Sequence, residues 1–280
     1  MIKLLASDLD GTLLNSRKEI TKEVYNAVAE AASRGIDFVP ITGRPFGSVP
    51  REVRNLPGVR YVIASSGASI WDMKENKEIH RDLIPQDMML EMLDILQDHG
   101  FLVMIFTDGR GYVSDSDMER AMAIACDDEM RAYYRSNRDC VPDIRKLVES
   151  YPEGIEKFTV NFPYDEDGNM IGVDECISLL KPYVDKLHPV YGGPINLEVS
   201  TATAYKGAAI DFLIEKLGLQ KENVIAFGDS GNDVDMKGHA GTFVAMENAT
   251  DDVKAVADFV TLSNEESGVA YAIKKLVFDK

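Results

Sequence analysis

The hydrophobic pattern of the chain has two alternating rhythms. The short apolar runs I-K-L-L-A-S (2–7), I-D-F-V-P-I (36–41) and V-R-Y-V-I-A (59–64) read as buried strands. Between the first two, Val24, Ala27, Val28 and Ala31 recur at i, i+3, i+4 and i+7, which predicts a helix that Thr21 caps and Gly35 ends. Strand, helix, strand in succession predicts a parallel sheet with covering helices. The C-terminal part repeats this order. A helix over 205–217 closed by Gly218 leads into strand N-V-I-A-F-G (223–228), then T-F-V-A-M (242–246), D-F-V-T (258–261) and a closing helix over 268–277.

The middle of the chain follows a different pattern. A helix over 86–98, with Met89, Met92, Leu93 and Leu96 on one face, precedes L-V-M-I-F-T-D-G-R-G-Y-V, two β-rich runs around a hairpin-type turn. Strand F-T-V-N-F (158–162), a helix near 172–187 and the run H-P-V-Y-G-G-P-I-N-L-E-V-S follow. Hairpins mixed with helices predict an inserted α+β domain over 84–193, leaving 1–83 and 194–280 as one discontinuous α/β domain. The acidic D-E-D-G-N (165–169) lacks the closing Glu of an EF-hand loop and reads as a hairpin turn.

Composition narrows the function. The 280 residues are 45% hydrophobic and 28% charged, with a net charge of −17, which speaks against a nucleic-acid or anionic-membrane surface. An anionic substrate would need a local positive site made from a metal, a Lys or an Arg. Cys126, Cys140 and Cys176 show no C-x-x-C spacing and predict neither a disulfide framework nor a zinc site. His80, His99, His188 and His239 are scattered and read as surface or packing residues. The N-terminus lacks the basic and apolar regions of a signal peptide, and no run approaches the ~18 apolar residues of a spanning helix, so the chain reads as cytosolic.

The chemistry gathers at strand ends. The first strand runs into S-D-L-D-G-T, and the period of two sends Asp8 and Asp10 to the same side. Two such carboxylates repel, and a divalent cation is the leading compensation; taken alone, the stretch also fits an Asx-type turn. The second strand ends in I-T-G-R (41–44), whose Thr42 hydroxyl, Gly43 amide and Arg44 fork all suit phosphate oxygens. Lys206 opens a helix, where a lysine is also commonly just solvated. Strand 223–228 ends in G-D-S-G-N-D (228–233), delivering Asp229 and Asp233, although a loop of this kind also serves as a helix cap. Four strand ends with anion- or metal-competent groups at one sheet edge exceed what turn chemistry explains.

The ordered set D-L-D-G-T, I-T-G-R, Y-K-G and G-D-S-G-N-D resembles the four motifs of the haloacid dehalogenase superfamily of aspartate-nucleophile phosphatases. The insertion resembles the C2 cap of its Cof-type, class IIB, branch, and F-V-A-M-E-N-A (243–249) and E-S-G-V-A (266–270) extend the likeness to the end of the chain. The resemblance implies a Rossmann-like parallel sheet with helices on both faces plus an inserted α+β cap. It implies hydrolysis of small phosphomonoesters, sugar phosphates or related metabolites, with magnesium (Mg2+) as cofactor. Asp8 is then the nucleophile and Asp10 the general acid and base, its pKa raised by burial and neighbouring carboxylates. The matching metal ligands are Asp8, the Asp10 carbonyl and Asp229, with Ser230 and Asp233 supporting that loop. Leu9, Thr42, Gly43, Lys206 and Asn232 would hold the phosphoryl oxygens, and Arg44 would face the leaving group.

Two departures stand out. Relatives of this type usually carry Asn-Gly after the third strand, where this chain has A-S-S-G-A-S (64–69) with Ser66 at the Asn position, a substrate-contacting site in the resemblance. T-A-T-A-Y (201–205) replaces the commoner Pro/Gly-containing loop before Lys206. A phosphosugar mutase shares the same motifs, and a non-catalytic binding relative would keep the fold. Oligomeric state is not legible.

Overall fold

In the computed structural model, which describes residues 1–125, 128–165, 169–193 and 196–279, strand β1 (Leu4–Ser7) is buried along its whole length. It pairs in parallel with β2 (Asp37–Pro40) on one side and β12 (Val224–Gly228) on the other. With β13 (Thr242–Ala245) and β14 (Phe259–Val260) these form a five-stranded parallel sheet of order β14-β13-β12-β1-β2. The strands are almost wholly apolar, as parallel strands buried on both faces must be. The order reverses beside β1, where open α/β sheets leave a crevice at the carboxyl ends of their strands.

The Lys22–Ser33 helix starts where the sequence predicts. Thr21 Oγ1 accepts the Val24 N–H, and Val24, Ala27, Val28 and Ala31 are the residues it buries. The Lys206–Leu217 helix ends on Gly218 in the left-handed conformation. Strand β3 (Tyr61–Ala64) touches β2 through the parallel bridges Phe38↔Val59 and Ile41↔Ile63. Its regular pairing is antiparallel, however, with β4 (Ser69–Asp72), because the chain reverses at Ser65–Gly67; β5 (Lys77–Arg81) completes that three-stranded sheet.

The chain divides into two compact units. One comprises Met1–Arg44, Val49–His80 and Tyr205–Lys280; the other comprises Pro45–Ser48 and Arg81–Ala204. The second holds a mixed six-stranded sheet made of β6 (Leu102–Thr107), β7 (Arg110–Ser114), β8 (Asp139–Val141), β9 (Lys157–Asn161), β10 (Leu187–Gly193) and β11 (Asn196–Thr201). Their order is β10-β11-β9-β6-β7-β8. The β6–β7 hairpin turns at Asp108 and Gly109, both at positive φ. Val103, Ile105, Phe158 and Val160 pack against Met89, Met92, Leu93 and Leu96 of the Gln86–Asp98 helix. The alternate positions Leu102, Met104 and Phe106 pack against Ala121, Ala125 and Tyr134.

Two helices differ from the sequence expectation. Val173–Leu180 is shorter than 172–187 because a 3₁₀ turn containing Pro182 follows and β10 already begins at Leu187. The closing helix is α over Gly268–Ile273 and π over Lys274–Phe278. Cys140 and Cys176 are unbridged thiols. Cys126 and the centre of D-E-D-G-N (166–168) lie outside the described residues. Among the described residues, no helix is long and apolar enough to cross a membrane.

Candidate active site

The first compact unit brings three stretches to the carboxyl end of β1. Asp8 continues the ladder, its N–H bonding the Phe227 carbonyl at 3.0 Å, and its side chain is buried. Gly11 then turns at φ +83, where a Cβ would overlap the Asp229 carboxylate. Only glycine lets the two loops approach this closely. Thr12, next in the chain, donates its N–H locally to the Leu9 carbonyl at 3.4 Å, but its side chain does not stay local. Its hydroxyl donates to Asp229 Oδ1 at 2.6 Å, across 217 residues of sequence.

Asp10 departs from the sequence expectation. Arg44 Nε donates to its Oδ2 at 2.7 Å and Arg44 NH2 to its Oδ1 at 2.6 Å, a bidentate fork. Lys18, at φ +61, adds its ammonium at 2.9 Å from Oδ1. Burial raises the Asp10 pKa, but the Arg44 fork and the Lys18 charge outweigh it, and the carboxyl is held below its ordinary value. The expected upward shift is therefore reversed, because the nearest charges are cations rather than carboxylates. Arg44 is directed at Asp10 within the protein. Thr42 is buried, its hydroxyl accepting the Arg44 N–H at 3.1 Å, and Gly43 lies between them.

Lys206, the first residue of its helix, is only 1% exposed, and its ammonium is shared among acceptors. Nζ lies 2.7 Å from Asp8 Oδ1, 2.6 Å from Asp233 Oδ1 and 3.4 Å from Asn232 Oδ1. Burial disfavours this cation, yet Asp233 and Asp8 outweigh burial and hold its pKa above the ordinary lysine value. Asp233 also organises its own loop. Its Oδ2 accepts the N–H groups of Asp229 at 3.0 Å and Ser230 at 3.1 Å, while the Ser230 hydroxyl donates to Asn232 Oδ1 at 2.9 Å.

The charge balance is negative. Asp8, Asp229 and Asp233 each present a carboxylate oxygen within 4.8 Å of the others. Burial pushes the Asp8 carboxyl well above its ordinary range; Lys206 pulls it down, and Asp233 and Asp229 push it up again. Burial also lifts Asp229 to about 6, against the Thr12 hydrogen bond. Carboxylates that resist ionising next to one another are what a hard, oxygen-seeking divalent cation relieves. The cluster can hold a metal ion. Within it Asp233 is already committed to Lys206 and two amides, so Asp229 is the better-disposed ligand.

Two of the remaining sequence candidates belong to the same region by backbone. Leu9 has a fully buried side chain, and Ser66 donates its N–H to the Thr42 carbonyl at 3.0 Å. Ser65 and Ser66 stand at φ +49 and +58, consecutive left-handed residues that neither periodicity nor composition marks. Sequence reasoning also missed Lys18, whose one visible signal is its position in the polar N-S-R-K-E stretch after the D-x-D motif.

The model of the haloacid dehalogenase-like hydrolases matches residues 5–273. The chain belongs to this family. It is a phosphatase of the haloacid dehalogenase superfamily. Phosphatase YwpJ of Bacillus subtilis (strain 168) is 32% identical over 291 residues, covering 99% of this chain and 100% of YwpJ. The 5-amino-6-(5-phospho-D-ribitylamino)uracil phosphatase YcsE of the same organism is 31% identical over 277 residues, covering 99% of this chain and 96% of YcsE. The solved structure of a haloacid dehalogenase-like hydrolase from B. subtilis superposes with a TM-score of 0.82 at 29% identity, covering 99% and 100% of the two chains.

Proposed function

We propose that this phosphatase works through a phosphoryl group carried on Asp8, with Asp10 moving the protons. The observation that carries the reading is the buried Asp8 carboxylate, 2.7 Å from the Lys206 ammonium inside a cluster of three carboxylates. In the first step a bond forms between an Asp8 oxygen and phosphorus, the ester P–O bond breaks, and the leaving oxygen takes a proton from Asp10. In the second, water attacks phosphorus, Asp10 takes the water's proton, and inorganic phosphate leaves as the bond to Asp8 breaks. Lys206 supplies positive charge to the transferring group throughout, and Thr42, Asn232 and the amides of Leu9 and Gly43 orient its oxygens.

Magnesium held by the Asp8 carboxylate, the Asp10 carbonyl and Asp229 would offset the negative charge that accumulates on the phosphoryl oxygens. The Arg44 and Lys18 contacts keep Asp10 ionised, the form the second step uses. For the first step Asp10 has to take up a proton and loosen those contacts. The substrate is a small phosphorylated polyol or sugar; the relative YcsE, named for a phosphoribitylamino substrate, supports that class. Asp8→Asn is expected to abolish hydrolysis of p-nitrophenyl phosphate in the presence of magnesium. Undiminished turnover in that variant removes Asp8 as the nucleophile. Ranking kcat/KM across sugar and polyol phosphates identifies the ester.

A further inference from the structure

Lys206 opens a helix whose N-cap, Tyr205, contributes no side-chain cap. The first turn of a helix leaves N–H groups unsatisfied. Here one of them is met from another element, as Gly207 N–H donates to Asp235 Oδ1 at 3.2 Å. A carboxylate at this end of a helix is also favoured by the peptide dipoles. Asp235 belongs to the 3₁₀ stretch Gly231–Gly238, which also carries Asn232 and Asp233, the acceptors of the Lys206 ammonium.

His239, the residue that ends that stretch, reaches the same helix start at two further points. Its Nδ1 is 2.7 Å from Asp211 Oδ2, one turn along the helix. Its ring meets the Tyr205 ring edge-on, with centroids 5.6 Å apart at 67°. The imidazole also fills the space beside Gly207, where a Cβ would overlap the ring. The helix that carries Lys206 and the stretch that carries Asp233 are therefore docked by contacts that involve none of the reacting groups.

We infer that Asp235 and His239 are positioning residues that set the Lys206 ammonium between Asp8 and Asp233. Asp235 fixes the helix start along its axis through the Gly207 amide. His239, tied to Asp211, fixes its distance from the 3₁₀ stretch. Gly207 is glycine because the imidazole occupies the place of its side chain. This inference rests on Lys206 serving the transferring phosphoryl group. Misplacing such a group by about 1 Å costs on the order of 100-fold in rate.

The test is steady-state hydrolysis of p-nitrophenyl phosphate at saturating magnesium by His239→Ala, His239→Asn, Asp235→Ala, Asp211→Asn, Gly207→Ala, the Gly207→Ala/His239→Ala double variant and Lys206→Ala. His239→Ala and Asp235→Ala are expected to lower kcat by ~10- to 100-fold with KM changed less than about twofold. His239→Asn keeps a donor for Asp211 and should recover most of the loss. Gly207→Ala should be severely impaired alone and roughly tenfold better when His239→Ala makes room for the methyl. Should His239→Ala fail to fold, Asp211→Asn, a half-exposed change, carries the same comparison with a smaller loss. The inference is overturned if kcat stays within about twofold in the His239, Asp235 and Asp211 variants while Lys206→Ala is inactive. It is also overturned if Gly207→Ala is equally damaging in both backgrounds. An active Lys206→Ala instead removes the catalytic assignment of the lysine, and this inference with it.

Discussion

Arg44 grips both carboxylate oxygens of Asp10, its Nε on Oδ2 at 2.7 Å and a terminal nitrogen on Oδ1 at 2.6 Å. A guanidinium held this way favours the ionised acid, which can accept a proton but not donate one. Replacing Arg44 by Met should therefore slow release of phosphate from Asp8 more than its loading. Rapid-quench measurement of the protein-bound phosphoryl group is expected to show a higher steady-state level in Arg44→Met than in the parent. A lower level would mean that the grip serves the first step instead.

Metal removal and pH act on the same carboxylates. Asp229, pushed up to about 6 by burial, keeps its proton to a higher pH in the folded chain than in the unfolded one. A carboxyl raised on folding supports stability at low pH and withdraws that support as pH rises from its unfolded value, near 4, through its folded value. Without magnesium, this group's share of stability should fall across that window. Added magnesium should raise the melting temperature more at pH 8 than at pH 5. An equal shift at the two values would argue that Asp229 does not hold the ion.

Thr12 reaches Asp229 rather than a neighbour, at 2.6 Å. Such outer contacts orient a metal-binding carboxylate, and losing one typically costs ~10- to 100-fold in metal affinity or activity. Thr12→Val should shift the magnesium dependence of activity to higher concentration by about that factor, with kcat largely restored at saturation. A normal magnesium titration would leave the hydroxyl without a part in metal binding.

Ser66 bears a different burden. It occupies the left-handed region beside Ser65, where most L-residues cost roughly 1–2 kcal/mol and Asn is better tolerated. Ser66→Asn should stabilise the protein by about 0.5 kcal/mol, read as a higher urea midpoint with unchanged slope. A lower midpoint would show that the serine is held by something worth more than the backbone strain.

Much of this was legible from residue order. The Lys22–Ser33, Gln86–Asp98 and Lys206–Leu217 helices follow from periodicity and their ends, and Asp8 follows from a strand running straight into acid. The mutual arrangement of side chains was not. Asp10 lies beside Asp8 in sequence, but in space its dominant neighbours are Arg44 and Lys18, and that difference reverses its pKa shift. The partner of Thr12 lies 217 residues away, beyond the reach of any local pattern. The 3₁₀ turn that shortens the Val173–Leu180 helix shows a proline overriding apolar spacing.

The loop after β1 is fastened by residues near the other end of the chain. Asn248 Nδ2 holds the Gly11 carbonyl and Asn264 Nδ2 holds that of Leu14, each at 2.9 Å or less, and Thr21 meets Ser267 at 2.7 Å. During synthesis, Asp8 leaves the ribosome first and waits for a lysine 198 positions later. At roughly 5–20 residues per second that wait lasts on the order of 10–40 s. A nascent chain halted anywhere in the insertion lacks both Lys206 and three of the five strands of the parallel sheet, so the ion pair at Asp8 forms only once those later residues have been made.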